Sequence, residues 1–297
     1  MKKVLVLLST YNGEKYLIDQ INSLMSQKMV DVNVLVRDDG STDSTVNILK
    51  KNMNKRIKCV FGTNLGASKS FFELINMATL DYDYYAFCDQ DDVWLENKLE
   101  KALDKLECFD DYNPSLYYSG QILTDKELRT ISNHVLDVNR SIKANWIFNQ
   151  MAGCTAVFNK RLLELMKQYI PKKIKYHDVW CYKLCACFDG NIYVDSNGYI
   201  LYRQHEDNVI GMNSGLRGKF NRAYKYIFLY KCSDFAEEIL NGYKDQLSDK
   251  WVHFLGNIIS SNTTSSNRYE LISDKEICFN SAFLKILFFI KVMLKKI

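Results

Sequence analysis

Proline is nearly absent from this chain, with two residues in 297, which excludes long Pro-rich linkers. The nine cysteines, at 59, 88, 108, 154, 181, 185, 187, 232 and 278, form no C-x-x-C pair. Cys181, Cys185 and Cys187 cluster without the second pair that a structural zinc site needs, so they read as buried thiols of a reducing compartment. No run of about 18 apolar residues occurs, and no membrane span is expected. Lys2-Lys3 precede an apolar run at 4–8 that is too short for the core of a signal peptide. The net charge of +4 is too small to mark a nucleic-acid binder, and no nucleic-acid partner is expected. Neither G-x-G-x-x-G nor a Walker loop is present, so the commonest phosphate cradles are missing.

What remains is a globular composition, 47% hydrophobic and 25% charged, long enough for a large core. Apolar runs at 4–8, 32–36, 59–61 and 84–88 predict buried strands. Helical periodicity between and after them predicts helices over about 15–27, 44–52, 67–78 and 95–109. Strand–helix alternation of this kind argues an α/β, Rossmann-like parallel sheet. Thr10, Asp39, Asn64, Asp89 and Asp91 would then collect on the rim where the strands end, the place such sheets bind ligands.

Beyond Pro114 the pattern loosens. Short strands are predicted at 116–118, 154–158, 191–194 and 199–202, and helices at 160–169 and 177–188. Residues 121–147 read as an irregular excursion over the site. From about 211 basic and aromatic residues interleave: Arg217, Lys219, Arg222, Lys225 and Lys231 with Phe220, Tyr224, Tyr226, Phe228 and Tyr230. The expected division is a domain over 1–210, in two halves at about 1–110 and 111–210. A helical basic extension follows over 211–297. In the tail, Lys285, Lys291, Lys295 and Lys296 fall within an arc of about 140° on a helix, although Leu284, Phe288 and Val292 invade it. Such a helix suits an anionic membrane surface, peripheral on the inner face of the cell membrane. The alternative is an ordinary packed helix with snorkelling lysines.

Asp89-Gln90-Asp91-Asp92 carries the chemistry. Acids this close repel unless a cation is shared, and a hard divalent ion, Mn²⁺ or Mg²⁺, held by oxygen ligands relieves that while gripping phosphates. Asp39 could accept from a pyrimidine N–H, Asp89 from a ribose hydroxyl, and Asp91 with the ion could hold a diphosphate. Asp92 reads as a cap for a helix starting near Trp94.

Several motifs in order resemble one family. They are Leu8-Ser9-Thr10-Tyr11-Asn12-Gly13, Arg37-Asp38-Asp39-Gly40-Ser41-Thr42-Asp43, Asn64-Leu65-Gly66 and Asp89-Gln90-Asp91-Asp92-Val93-Trp94. The later ones are Gly153-Cys154-Thr155-Ala156-Val157-Phe158-Asn159, His177-Asp178-Val179-Trp180 and Leu201-Tyr202-Arg203-Gln204-His205-Glu206-Asp207-Asn208-Val209. Together, over about residues 3–211, they are similar to the large inverting family of bacterial GT-A-fold glycosyltransferases, in its rhamnosyltransferase-like branch.

The resemblance implies a mixed, mostly parallel sheet flanked by helices, and makes 1–210 a catalytic domain with a nucleotide-sugar half at about 1–110 and an acceptor half at about 111–210. It implies a nucleotide-sugar donor, dTDP-rhamnose or a UDP-hexose, and transfer to a lipid-linked oligosaccharide during O-antigen, capsule or cell-wall polysaccharide synthesis. It assigns Thr10, Tyr11, Asn12, Asp39, Asn64, Gly66, Lys69, Asp89 and Gln90 to the donor, and Asp89, Asp91 and His205 to the cation. Asp178 becomes the catalytic base, and Trp94, Gly153, Cys154, His177, Trp180 and Arg203 line the acceptor and sugar pocket. Val179, where this branch often has a second Trp, would alter the groove wall. Glu206, where Gly is usual, would alter the loop at His205. A nucleotidyltransferase that makes sugar nucleotides, and a non-catalytic sugar-binding subunit, are the alternatives. Residues 9–13 lack the Gly-rich basic loop that the former usually carries.

Overall fold

The computed structural model describes residues 1–205 and 230–297. Four parallel strands form its first half: β1 (Lys3–Thr10), β2 (Asp31–Asp38), β3 (Ile57–Phe61) and β4 (Tyr84–Cys88). They are joined by α1 (Leu17–Met25), α2 (Thr45–Asn52) and α3 (Ala67–Met77). Every residue of β4 is buried. Tyr84, Ala86 and Cys88 join Val4, Val6 and Leu8 in one apolar cluster, while Tyr85 and Phe87 join Leu5 and Leu7 in the other. A strand covered on both faces needs an unbroken apolar run, which is why this segment shows no alternation.

The second half is mixed. β5 (Val93–Trp94), α4 (Lys98–Leu106), β6 (Ser115–Thr124), β7 (Thr130–His134), α5 (Ile142–Ile147), β8 (Val157–Asn159), α6 (Lys160–Gln168), α7 (His177–Cys187) and β9 (Asn191–Arg203) complete a sheet of order β3-β2-β1-β4-β8-β6-β9-β5, with β7 paired to β6. β8 runs antiparallel to both β4 and β6, and β9 is parallel to β6. The expected α/β architecture of GT-A type is therefore what the chain adopts.

Three local expectations are corrected. The helix predicted from about 95 begins at Lys98. Trp94 instead pairs with Ile200, its N–H donates to Ser23 Oγ at 3.1 Å, and Leu95 N–H donates to Tyr199 O at 3.0 Å. With those groups committed to a ladder, no helix can start there, and Asp92 caps none. The two short strands near 191 and 199 are one strand, β9, which crosses Asp195-Ser196-Asn197-Gly198 with a register shift opposite Gly120. A Cβ at Gly120 would lie 2.6 Å from His134 O and 2.7 Å from Ser196 O, so the crossing needs glycine there. The excursion at 121–147 holds the end of β6, the β7 hairpin strand and α5, which Ser141 caps by accepting from Ala144 N–H at 3.2 Å.

Helices α8 (Cys232–Tyr243), α9 (Asp249–Ser260), α10 (Ser265–Ser273) and α11 (Ala282–Met293) follow. Phe235, Ile239, Tyr243, Trp251 and Phe254 enter the same apolar cluster as α6 and α7. On α11 the buried residues are Leu287, Phe288, Lys291 and Val292, while Phe283, Ile286, Phe289, Ile290 and Met293 are exposed. Of the lysines expected on one basic face of the tail, Lys285, Lys295 and Lys296 are exposed, but Lys291 is not. Lys291 is buried and its Nζ donates to Tyr230 O at 2.6 Å. The helix is apolar nearly all round, so packing one side leaves another apolar side outward. The basic and aromatic residues from Arg217 to Phe228, and Glu206 to Val209, lie outside the described residues.

Candidate active site

Because β1 to β4 are parallel, their ends share one edge, and the loops leaving them interlock. The side chain of Gln90 bridges two of them. Its Oε1 accepts from Thr10 Oγ1 at 2.6 Å and Tyr11 N–H at 2.8 Å, and its Nε2 donates to Tyr11 O at 3.1 Å. Thr10 is buried with its hydroxyl committed there, so it shapes the loop rather than facing a ligand. Gln90 likewise braces the loop. Tyr11 and Asn12 are exposed above it. Asn12 takes a left-handed φ of 49° and accepts Thr42 N–H at 2.9 Å, a conformation Asn tolerates better than most residues.

Asp39 sits at the end of β2 and is almost fully buried. Its carboxylate accepts Leu65 N–H at 2.9 Å and Gly66 N–H at 2.8 Å, and pairs with Arg37. Arg37 is held in turn by Ser70 Oγ at 3.0 Å. Three donors on two oxygens leave a lone pair on Oδ2 for one further N–H. Asn64 accepts Gly66 N–H at 3.1 Å, Gly66 has φ 85° with open space beside it, and Lys69 is exposed on the first turn of α3.

The acids follow β4. His205 Nε2 lies 2.9 Å from Asp91 Oδ2. The Asp91 backbone is fixed from below, because Arg203 Nε donates to Asp91 O at 2.9 Å. Arg203 is buried, pairs with Asp19 at 3.2 Å and stacks 4.4 Å from the Tyr16 ring. Tyr16 also packs 5.0 Å from the His205 ring. Arg203 is therefore a brace beneath the acids and not a wall of a sugar pocket. Asp89 is half-buried, and burial, with the charges of Asp91 and Asp178, pushes its carboxyl up to about 7. Asp92 is buried, faces inward, and accepts Arg203 N–H at 3.1 Å.

Asp178 occupies the first turn of α7, where the helix dipole favours an anion. Its Oδ1 accepts Val179 N–H at 2.8 Å, yet burial pushes its carboxyl up to about 6. Gly153 makes room for it: a Cβ there would lie 3.2 Å from Asp178 Cβ and 3.1 Å from His177 Nε2. His177 stacks on Phe71 at 3.8 Å and meets Phe87 edge-on at 4.7 Å. Burial takes its pKa down to about 3, so the ring is neutral and serves as an apolar prop under Asp178.

Three residues expected on the pocket wall lie in the core instead. Trp94 is buried, with Lys98 Nζ 3.5 Å over its ring. Trp180 is fully buried near Tyr169 and Tyr243. Cys154 is buried beneath the acids, where Gln121 Nε2 approaches its Sγ at 3.7 Å. Val179 is also buried in an apolar cluster, so it leaves the groove wall untouched. In each case a bulky apolar group gains more from the core than from a wet groove. Tyr16, Asp19 and Lys98 go unmarked in the motifs. Tyr16 and Asp19 show their part only through tertiary contacts, whereas Lys98 falls on the apolar stripe of α4 with Leu99, Ala102 and Leu103.

Asp89, Asp92 and Cys154 each offer a ligand atom within 4.8 Å of the others. Burial pushes the Cys154 thiol well up, so it stays protonated and suits a hard cation poorly. Asp91 Oδ2 and His205 Nε2, 2.9 Å apart, offer one oxygen and one nitrogen, and Asp89 does not close a three-ligand set with them. The carboxyl of Asp89 is raised first by burial and then by the charges of Asp91 and Asp178. Asp89, Asp91 and Asp92 supply carboxylate oxygens of the kind a divalent ion takes.

A mixed sheet with acids at the end of its fourth strand, and a further acid in the first turn of α7, is the frame that the comparisons with known proteins fill. The sequence profile described as "Glycosyl transferase family 2" matches residues 5–167, and the chain belongs to that family. The dTDP-rhamnosyl transferase RfbG of Shigella flexneri is 32% identical over 228 residues, 72% of this chain and 77% of that protein. An uncharacterized glycosyltransferase of Nostoc sp. is 26% identical over 69% of this chain and 66% of its own length. Among solved structures, S. aureus TarS 1-349 in complex with UDP-GlcNAc superposes with TM-score 0.61 at 20% identity, covering 99% of this chain and 82% of that one. That likeness shows the fold.

Proposed function

We propose that this glycosyltransferase is inverting and cation-dependent. It moves rhamnose or a hexose from a dTDP or UDP donor to a hydroxyl of a lipid-linked oligosaccharide, in surface polysaccharide synthesis at the inner face of the cell membrane. Residues 1–210 are the proposed catalytic unit and 211–297 its extension. The observation that carries the reading is the placement of Asp178 in the first turn of α7, next to His177, whose ring meets Phe87 edge-on at 4.7 Å, two residues before Asp89.

An inverting transfer is one displacement at the anomeric carbon. It needs a carboxylate that takes the acceptor's proton and a stabilised leaving group on the opposite side. Asp178 takes the proton from the acceptor hydroxyl. Its raised pKa makes it a stronger base than an ordinary carboxylate, and Gly153 leaves space for the hydroxyl's approach. Asp39 accepts the base N–H on its remaining lone pair, with Tyr11, Asn12, Asn64 and Lys69 around the nucleotide. Asp89 accepts from the ribose. Asp91, Asp89 and His205 would hold the divalent ion, which when bound supplies neutralisation of charge on the departing diphosphate. Arg203, Tyr16 and Gln90 keep these groups in register. A retaining hydrolase would need a close carboxylate pair across the sugar, a different arrangement. The dTDP-rhamnosyl name of RfbG and the UDP-GlcNAc held by TarS support the choice of donors.

The test is a thermal-shift panel of nucleotide diphosphates and nucleotide sugars with Mn²⁺ or Mg²⁺, followed by an assay of diphosphate release. One nucleotide sugar is expected to raise the melting temperature only with the ion present and to release its nucleoside diphosphate. Release of pyrophosphate from a nucleoside triphosphate would refute the transferase reading in favour of sugar-nucleotide synthesis.

A further inference from the structure

The outward side of α11 is unusual for a surface helix. At 100° per residue, Phe283, Ile286, Phe289, Ile290 and Met293 fall within an arc of about 120°, and all five are exposed. Leu284, Leu287, Phe288, Lys291 and Val292 occupy the opposite arc, against the core. Exposed Lys285, Lys295 and Lys296 stand at the margin and end of the apolar face. No acid occurs from 277 to 297, and the two just before, Asp274 and Glu276, are paired with Lys143 at 2.8 and 2.7 Å.

A second apolar surface adjoins the start of this helix. Val135, Val138 and Ile142 are exposed, and the segment carrying them is tied to the chain before α11. Asn280 Nδ2 donates to Asp137 Oδ1 at 3.0 Å, Ser141 N–H donates to Cys278 O at 3.2 Å, and Cys278 N–H donates to Ser141 Oγ at 2.9 Å. The same segment continues from β7, whose His134 pairs with Gln121, the residue that reaches Cys154 beneath the acids. The chain therefore links this apolar surface, through β7, to the strand whose Gln121 reaches beneath the acids.

We propose that this surface is the seat by which the enzyme rests on an anionic phospholipid layer, holding its acceptor side toward the lipid. The inference deepens the reading of a lipid-linked acceptor and rests on it. Charge complementarity selects the occupant: the stripe on α11 has lysines and no acid, and Asp137 on the adjoining segment is paired with Arg140 and accepts from Asn280, which matches acyl chains below anionic headgroups. A second copy of the chain would bring the same lysines against one another. The helix, about 18 Å long, is too short to cross a hydrocarbon core of about 30 Å, and none of the described helices is long and apolar enough to do so. It lies in the interface plane.

The experiment is co-sedimentation of the full chain with vesicles of phosphatidylcholine, and of phosphatidylcholine mixed with phosphatidylglycerol. The wild type is expected to partition to the mixed vesicles. The triple variant Ile286→Ser/Phe289→Ser/Met293→Ser alters only exposed side chains, and circular dichroism checks its fold. It is expected to lose at least about tenfold in partitioning, since each side chain contributes comparably to burial. Lys295→Gln/Lys296→Gln is expected to lose severalfold and to erase the preference for phosphatidylglycerol. Equal sedimentation of wild type with and without vesicles overturns the proposal. So does wild-type binding by the triple variant, or a dimer that the triple variant abolishes without any lipid binding. Ion-dependent release of nucleoside diphosphate in vesicle-free buffer separates the two ideas: its absence refutes the transferase reading, and its persistence in the triple variant leaves only the seat on trial.

Discussion

At the scale of residues, the site is an arrangement of carboxylates whose environments differ. Asp178 is held up to about 6 by burial, against an ordinary value of 3.8. As a base it must be ionised, so the rate should fall about tenfold per pH unit below pH 6 and level off above it. The same shift has a stability consequence. The folded chain disfavours the ionised carboxylate, a cost that is absent below about pH 4, accrues between pH 4 and 6, and is complete above 6. Asp178→Asn should therefore raise stability on the order of 1–3 kcal/mol at pH 7.5 and leave it unchanged at pH 4. Paired thermal melts check this, and equal effects at the two pH values would contradict it. Gly153→Ala should cut turnover at least about tenfold with donor affinity intact, because the added methyl presses on Asp178 and His177. Kinetics beside calorimetric donor binding checks that. The acids and their order were legible in the sequence, since a buried apolar strand running into Asp89-Gln90-Asp91-Asp92 has few uses. What the side chains touch was not. Thr10 and Gln90 satisfy each other, and Trp94 and Trp180 turn into the core, because hydrogen bonding and burial are settled by partners far along the chain.

At the scale of elements, the parallel first half was readable because each buried strand ends in a polar turn and feeds an amphipathic helix. The mixed half was harder. β5 has two residues and exists only because β9 lies beside it. The crossing of β9 through Asp195-Ser196-Asn197-Gly198 looks like a turn in sequence, and only the space at Gly120 lets the strand continue. Gly120→Val should destabilise the protein by about 1–3 kcal/mol through overpacking against two backbone carbonyls. Urea denaturation checks it, and an unchanged midpoint would show that the bulge is not a packing constraint.

At the scale of the whole molecule, the C-terminal helices share their apolar cluster with α6 and α7. Phe235, Ile239, Tyr243, Trp251 and Phe254 are all buried in it. A chain ending at residue 210 should expose that surface, and it is expected to aggregate or melt well below the full chain. A soluble, active fragment with the full chain's melting temperature would show the two parts to be independent. The proposed chemistry depends on Asp178 standing near the acids that follow β4, where His177 beside it packs on Phe87. The most direct test is Asp178→Asn measured two ways, by turnover with donor and acceptor and by calorimetric affinity for the nucleotide sugar with Mn²⁺. Turnover is expected to fall by about 10²-fold or more, with donor affinity within about twofold of wild type. Near-normal turnover, or a loss explained wholly by weakened donor binding, would contradict the assignment of Asp178 as the base.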